Sequence, residues 1–460
     1  MTSAFSKRER PPAARAEGSR RAEGSRRQVA SISLAIALAT TGVLPVFLTG
    51  ALAVQLEASL HVGTTAIGGA VATFFAASAL SSVRAGRLAE RVGPFKVMLV
   101  AVGFALVALL GNGLVVTSLP GLLGFLVAGG LSNGAMQPAV NLLLARAVDD
   151  HRQGLAFGVK QAAIPTSTLL AGLAVPALAL TAGWHVAYLA AAGLALAVGA
   201  VLVSGGRRLM PIPSATPILA ASAQGPGKQE GSEMGQKGGN PGESFNPRPL
   251  VFVAAAMACA VAASNALGSF VVPGAVHDGV TPGVAGLLSA AGSVVGLSVR
   301  VGSGWQADRK GLRGHQAADA HLQTVGTLIA VGAIGYGALA VGSLGLLVPA
   351  VLVAYGGGWG YNALFNLAVV RAYPAAPARA TGVTQVGTYI GGMIGPLGFG
   401  IVVDHLGFDV GWALCAGLAV LAVTAFFFGR RRLQTAPTLS VQMVGASEVG
   451  ERASGIQLLR

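Results

Sequence analysis

Gly86-Arg87-Leu88-Ala89-Glu90-Arg91-Val92-Gly93 and Gly304-Trp305-Gln306-Ala307-Asp308-Arg309-Lys310-Gly311 decide the fold of this chain, because they are one pattern written twice. Each reads Gly, an acid at +4, Arg at +5 and Gly at +7, and each follows a long apolar run. Three further matches recur in the same chain order. Asn141-Leu142 with Arg146-Ala147 returns as Asn366-Leu367 with Arg371-Ala372. Gly158-Val159-Lys160-Gln161 returns as Gly382-Val383-Thr384-Gln385, and Gly183-Trp184 as Gly411-Trp412. The four offsets are 218, 225, 224 and 228 residues. Nearly constant spacing argues for a duplicated chain, the parallel-repeat arrangement of two-lobed membrane proteins.

The segments around these motifs are apolar. Of 460 residues 53% are hydrophobic and only 10% charged, with a mean hydropathy of +0.67, against roughly 25% charge in soluble chains. Such a chain is an integral membrane protein. Twelve runs approach the ~20 residues that cross a bilayer, at about 29–54, 64–84, 96–117, 119–145, 154–181 and 184–204, then 250–273, 281–303, 322–342, 345–370, 380–403 and 408–429. Continuous runs of this length exclude a strand barrel, whose segments alternate over ~10 residues. The expected fold is all-α, with twelve transmembrane helices in two six-helix lobes.

Composition divides the chain further. Residues 1–28 form a basic, disordered tail in which Arg15–Arg20 repeats as Arg21–Arg26. The run that follows is too long for a signal-peptide core and reads as an uncleaved first helix. Residues 29–204 form the first lobe and 250–430 the second. Between them 205–249 holds nine Gly and seven Pro, the composition of a flexible linker, and 431–460 form a second tail. Thirty of the 31 basic residues fall in the tails, the linker and the even-numbered connections, with Arg300 counted at the edge beside Arg309. The positive-inside rule then puts both termini in the cytoplasm of a multi-pass plasma-membrane protein. The thirty-first is Lys160.

Several function classes are excluded. The net charge of +14 sits in connections and tails, with no basic domain or aromatic platform for nucleic acid. No phosphate loop occurs; Gly227-Lys228 lacks both the first glycine and the final Ser or Thr. Cys259 and Cys415 make no disulfide framework, no metal spacing appears, and no nucleophile stands beside a base. Neither a cofactor nor a catalytic residue is expected.

Over residues 29–430 the chain resembles the major facilitator superfamily. Its signature between helices two and three is Gly-x-x-x-Asp-Arg-x-Gly followed by basic residues. Gly86, Glu90, Arg91 and Gly93 match it with Glu for Asp, and Gly304, Asp308, Arg309 and Gly311 match it in the second half. The resemblance implies a gate at these residues that locks the outward-open state and releases as the lobes rock. Glycines 86 and 304 would let a neighbouring helix approach, and the acids would accept backbone N–H groups at a helix end. The alternative is charges that only solvate a loop. The family's drug–proton antiporters carry a Gly-Pro signature in helix five and an arginine in helix four. Here Ile164 precedes Pro165 and residues 119–145 hold no basic residue.

Substrate-binding candidates are the polar residues inside the runs: Gln137 and Asn141, Lys160 and Gln161, Asn265, Asn362 and Asn366, and Gln385 and Tyr389, with Thr40, Thr41 and Thr388. Each competes with a plain helix–helix hydrogen bond. Trp184 and Trp412 read as interfacial anchors, and Gly356–Gly358 and Gly391-Gly392 as helix contacts or bends. Lys160 is expected about 12 Å beyond Arg152 along a continuous helix five. There it faces a cavity or snorkels to the surface. Without an acid in any neighbouring run, its partner would be an anionic substrate. The expected function is secondary transport of a small organic anion by alternating access. A proton-coupled drug exporter of the same fold is the alternative, and a receptor without net transport the reading from another class. Partners are the bilayer, a small-molecule substrate and a candidate coupling ion, with the chain monomeric.

Overall fold

The computed structural model describes residues 12–147, 159–209, 248–309, 314–373 and 377–434. Among them all regular structure is helical, and twelve helices are long and apolar enough to cross a membrane. The first half comprises α1 (Pro12–Ala51), a short connecting helix (Ala53–Leu60), α2 (Thr64–Val92), α3 (Pro94–Leu114) and α4 (Leu119–Ala147). Its α5 is Ala163–Ala174 followed by a π turn, Val175–Ala179, and Leu180–Ala182; α6 is Trp184–Leu209. The second half comprises α7 (Arg248–His277), α8 (Pro282–Arg309), α9 (Gly314–Leu339), α10 (Leu344–Gly360 and Asn362–Ala372), α11 (Pro377–Leu406) and α12 (Phe408–Gln434). The expected twelve-helix, two-lobed architecture is what the chain adopts. Twelve crossings bring α1 and α12 back to one face, here the tail side; the other is the far side.

Small residues set the packing. On α11, Gly387, Gly391 and Gly395 recur every four residues, so they lie on one face. They rest against α7 at Ala254, Ala258 and Ala262, where an added Cβ would fall 2.1–2.3 Å from the carbonyl oxygens. Nothing larger than glycine fits, and the backbones touch directly. Gly357 meets Gly332 of α9 equally closely. The helix-contact reading of Gly356–Gly358 and Gly391-Gly392 therefore holds.

The lobes meet along two seams, α2 with α11 and α5 with α8. Toward the far side a Cβ on Gly68 would lie 2.4 Å from the Pro396 carbonyl oxygen, and one on Gly172 2.6 Å from that of Gly286. Gly50 of α1 lies as tightly against Ser269 of α7. The far end is closed.

Four expectations change. The first signature copy is not a loop: α2 stays helical through Val92 and only Gly93, at φ +90°, makes the turn before Pro94 opens α3. Among the described residues Gly304 has no neighbour, since nothing lies within 4 Å of its Cβ position, and Gly86 meets only Pro138 at an ordinary 3.5 Å. Trp184 and Trp412 are not interfacial anchors. They are 5% and 3% exposed, with Trp184 edge-on to Tyr188 and Trp412 packed on Phe399 and beneath Gly274. Each follows a turn glycine closely enough to point inward at the helix start. Finally, helix five is not continuous from 154: Val159 and Lys160 are helical, Gln161 and Ala162 form a turn, and α5 starts at Ala163.

Candidate functional site

The site grows from one stripe on α4. Asn133, Gln137 and Asn141 are four residues apart and so share a face. Asn133 Nδ2 donates to Ser78 Oγ of α2 at 3.1 Å, and Gln137 Nε2 donates to Asn133 Oδ1 at 3.1 Å. These two bonds fix the amide orientation, because a donating Nε2 leaves Oε1 of Gln137 aimed the other way. Lys160 Nζ donates to that oxygen at 2.5 Å and to Asn141 Oδ1 at 3.0 Å. The lysine is 6% exposed. Its stem therefore folds inward toward α4 and does not snorkel. Two of its three ammonium protons are placed on neutral oxygens; the third has no acceptor among the described residues.

Lys160 arrives here because the chain turns. Gln161 would give its carbonyl to the N–H four residues on, but that residue is Pro165, which has none. The regular ladder resumes one residue later, with Thr166 N–H donating to Ala162 O at 3.0 Å. The orphaned Gln161 carbonyl is taken from the other lobe by Nη1 of Arg300 on α8. Arg300 Nε donates to the Trp359 carbonyl at 2.8 Å, in the last turn of α10 before its break at Tyr361. Trp359 is held in turn by its indole N–H, which donates to Ser264 O at 2.5 Å. The guanidinium carbon lies 5.7 Å from the Trp359 ring centre.

Arg300 is 2% exposed, so its placement at the membrane edge is a further correction. A basic residue near the end of an apolar run looks like a topology marker, yet this one turns into the lobe seam. The signal that could have found it is its depth in the apolar span of α8: six residues before Gln306, where that span ends, about 9 Å inside. Lys160 was thus not the sole buried cation. Asn133 and Ser78 were also missed, although the i, i+4 spacing extends to Asn133 directly.

The other candidates do not converge on Lys160. Asn265 is nearly buried, with Nδ2 3.2 Å from the Cβ position of Gly392. Tyr389 is half-buried on α11, and Gln385 of the same helix is exposed. Asn362 and Asn366 are half-buried on α10. Thr384, where the second repeat replaces Lys160, is 1% exposed and bonds the carbonyl of Thr381. The repeat is therefore chemically asymmetric at this point. Thr41 bonds its own helix at Leu38 O, while at mid-seam Ser293 Oγ donates to Thr168 Oγ1 at 2.8 Å. Of the signature residues, Glu90 and Arg91 are exposed, and Arg309 stacks 4.0 Å over Trp305. The Asp308 side chain and Gly311 lie outside the described residues, as do most of the 205–249 linker and 435–460. Among the described residues no His, Cys, Asp or Glu cluster could hold a metal.

Comparison with known proteins agrees with the architecture. The family model described as Major Facilitator Superfamily matches residues 29–384. Multidrug resistance protein MdtG of Escherichia coli, from strains O1:K1 / APEC and K12 / DH10B alike, is 31% identical over 121 residues, 26% of this chain and 29% of the relative. The chain thus spans less than a third of the curated relatives it matches. Two crystal structures of a bacterial homolog to human lysosomal transporter Spinster, inward-facing and either unoccupied or occupied, share the fold with a TM-score of 0.59. They are 13% and 14% identical; the match covers 89% and 87% of this chain and 97% and 96% of theirs.

Proposed function

The chain belongs to the major facilitator superfamily, and from that premise we propose that it is a secondary transporter carrying a small organic anion by alternating access. One observation carries the substrate class: the Lys160 ammonium is buried against two neutral amide oxygens, with no carboxylate against it among the described residues. A buried cation held only by neutral dipoles lacks the opposite charge that would offset its desolvation. An arriving carboxylate would supply the missing charge.

The close far-side contacts at Gly68 and Gly172, together with the Arg300–Gln161 tie in the tail-side half of the seam, support a resting state closed on the far side, with Glu90 and Arg91 exposed at the tail-side end of α2. Residues 29–204 and 250–430 act as rocking bodies joined by the 205–249 linker. The asymmetry of basic residues supports a plasma-membrane protein with both termini in the cytoplasm. No catalytic role is assigned. Drug export is the second reading, favoured by the likeness to MdtG, named a multidrug resistance protein.

The test is uptake into proteoliposomes of labelled organic anions, organic cations and sugars, with and without a pH gradient. Anion uptake is expected, lost in Lys160→Gln and partly kept in Lys160→Arg. Normal uptake by Lys160→Gln at normal incorporation would overturn the anion reading. Cation efflux driven by a pH gradient would establish the second.

A further inference from the structure

We propose that Arg300 is a second anion ligand of this site, so that the transported solute is a small dicarboxylate held by Lys160 from one lobe and Arg300 from the other. The inference rests on the anion reading above and extends it to the substrate's second charge.

Two other arginines of the second lobe show what a matched cation looks like here. Arg430 makes a bidentate pair with Asp319, its Nη2 at 2.7 Å from Oδ2, and Arg371 Nη1 lies 2.7 Å from His321 Nε2. Those side chains have partners that answer their charge or geometry. Arg300 does not. Its two bonded nitrogens reach backbone carbonyls, which are dipoles and not charges, and its Nη2 is fully buried with no partner among the described residues. A guanidinium presents a planar fork suited to a carboxylate; here one tine is spent on Gln161 O and the other is vacant. Leaving a charged donor buried and unmatched is costly.

The two cations meet the chain at adjacent residues. The carbonyl that Arg300 grips belongs to Gln161, the residue after Lys160. Neither has a carboxylate partner among the described residues. A monocarboxylate would answer one charge and leave the other unmatched; a dicarboxylate answers both. Because the cations belong to different lobes, such a solute also bridges the seam, and its affinity differs between conformations that bring the lobes together or apart. That difference lets a substrate shift a conformational equilibrium.

The purified full-length chain in detergent is titrated with succinate and malonate as dicarboxylate probes and with acetate and lactate as monocarboxylate probes. The wild type should prefer the dicarboxylates. Arg300→Gln should weaken dicarboxylate binding by about 30-fold or more, as for truncating one member of a desolvated charge pair, and monocarboxylate binding by less than about threefold. Arg300→Lys should restore part of the preference. The ratio of the two affinities is the deciding readout, since a merely structural arginine would lower both alike. An unchanged ratio in Arg300→Gln overturns this proposal, as does a wild type that prefers monocarboxylates in a Lys160-dependent way; both leave the anion reading intact. If no carboxylate binds while an organic cation does, the anion reading itself falls and this inference with it.

Discussion

Asp404 at the end of α11 caps α2 of the other lobe: its carboxylate oxygens accept the backbone N–H groups of Thr65 at 2.8 Å and of Thr64 at 3.0 Å. The first N–H groups of a helix lack partners within it and carry its positive end, so a carboxylate placed there is favoured. This cap exists only while the far ends of the lobes touch. Asp404 is exposed, so solvent screening limits the contribution to roughly 1 kcal/mol, about fivefold in the ratio of closed to open. Asp404→Ala should shift the far side toward opening by that factor. Spin labels at Ala58 and Leu406, in a background lacking Cys259 and Cys415, report it as a longer-distance population. An unchanged distance distribution would reduce the cap to a passive contact.

A second carboxylate gives that closure a pH dependence. Glu57 lies on the short helix before α2. Burial pushes its carboxyl above the ordinary value, the nearby Asp404 charge adds to the rise, and a bond with Thr64 opposes it. Its Oε1 has no partner. Opening the far end would hydrate Glu57 and return it toward the ordinary carboxylate value. The closed form therefore holds the proton more tightly, so closure gains as pH falls through the raised value and saturates below the ordinary one, where both forms are protonated. The same label pair, compared between about pH 8 and about pH 5, should show more closed population in acid. Glu57→Gln should flatten the response; an undiminished response in that variant assigns it to another group.

Fold and site differ in how much the sequence shows of them. The duplicated Gly86–Gly93 and Gly304–Gly311 motifs and the apolar runs set element number, order and two-lobed architecture, because crossing a bilayer is a local constraint on composition. Lys160, Gln137 and Asn141 were legible for the same reason: polar groups stand out in apolar surroundings. Arg300 was not, since a basic residue near a helix end satisfies the topology rule whichever way its side chain turns. Its direction depends on two carbonyls, that of Gln161 freed by Pro165 and that of Trp359 beside the break in α10, and these are tertiary facts. Trp184 and Trp412 misled in the opposite sense, because interfacial position and inward burial share the same place in sequence.

Sidedness has a direct test. Ser343 lies in the exposed far-side turn between α9 and α10, whereas Ser232 belongs to the linker and Ala446 to the C-terminal tail. Single cysteines at each, in the same cysteine-free background, are treated on intact cells with an impermeant thiol reagent. Only Ser343→Cys should label; the other two should react after lysis. Labelling of Ser232→Cys from outside would invert the orientation drawn from the basic residues.

Pro165 provides the last prediction, because it acts on Arg300 without touching it. Proline in the first turn of a helix costs little, since that N–H has no regular partner. Pro165→Ala should therefore leave thermal stability nearly unchanged. What it adds is an N–H positioned to claim the Gln161 carbonyl, the acceptor that Arg300 Nη1 now uses. The inter-lobe tie then has a competitor, and anion uptake should fall several-fold although no residue lining the site has changed. If the effect runs through Arg300, the two substitutions cannot add: Pro165→Ala should lower uptake much less in an Arg300→Gln background than in the wild type. Groups sharing one hydrogen bond typically couple by about 0.5–3 kcal/mol, and a double-mutant cycle of uptake rates resolves that range. Fully additive losses would mean that Pro165 shapes the turn at Gln161 and Ala162 for some purpose other than freeing that carbonyl.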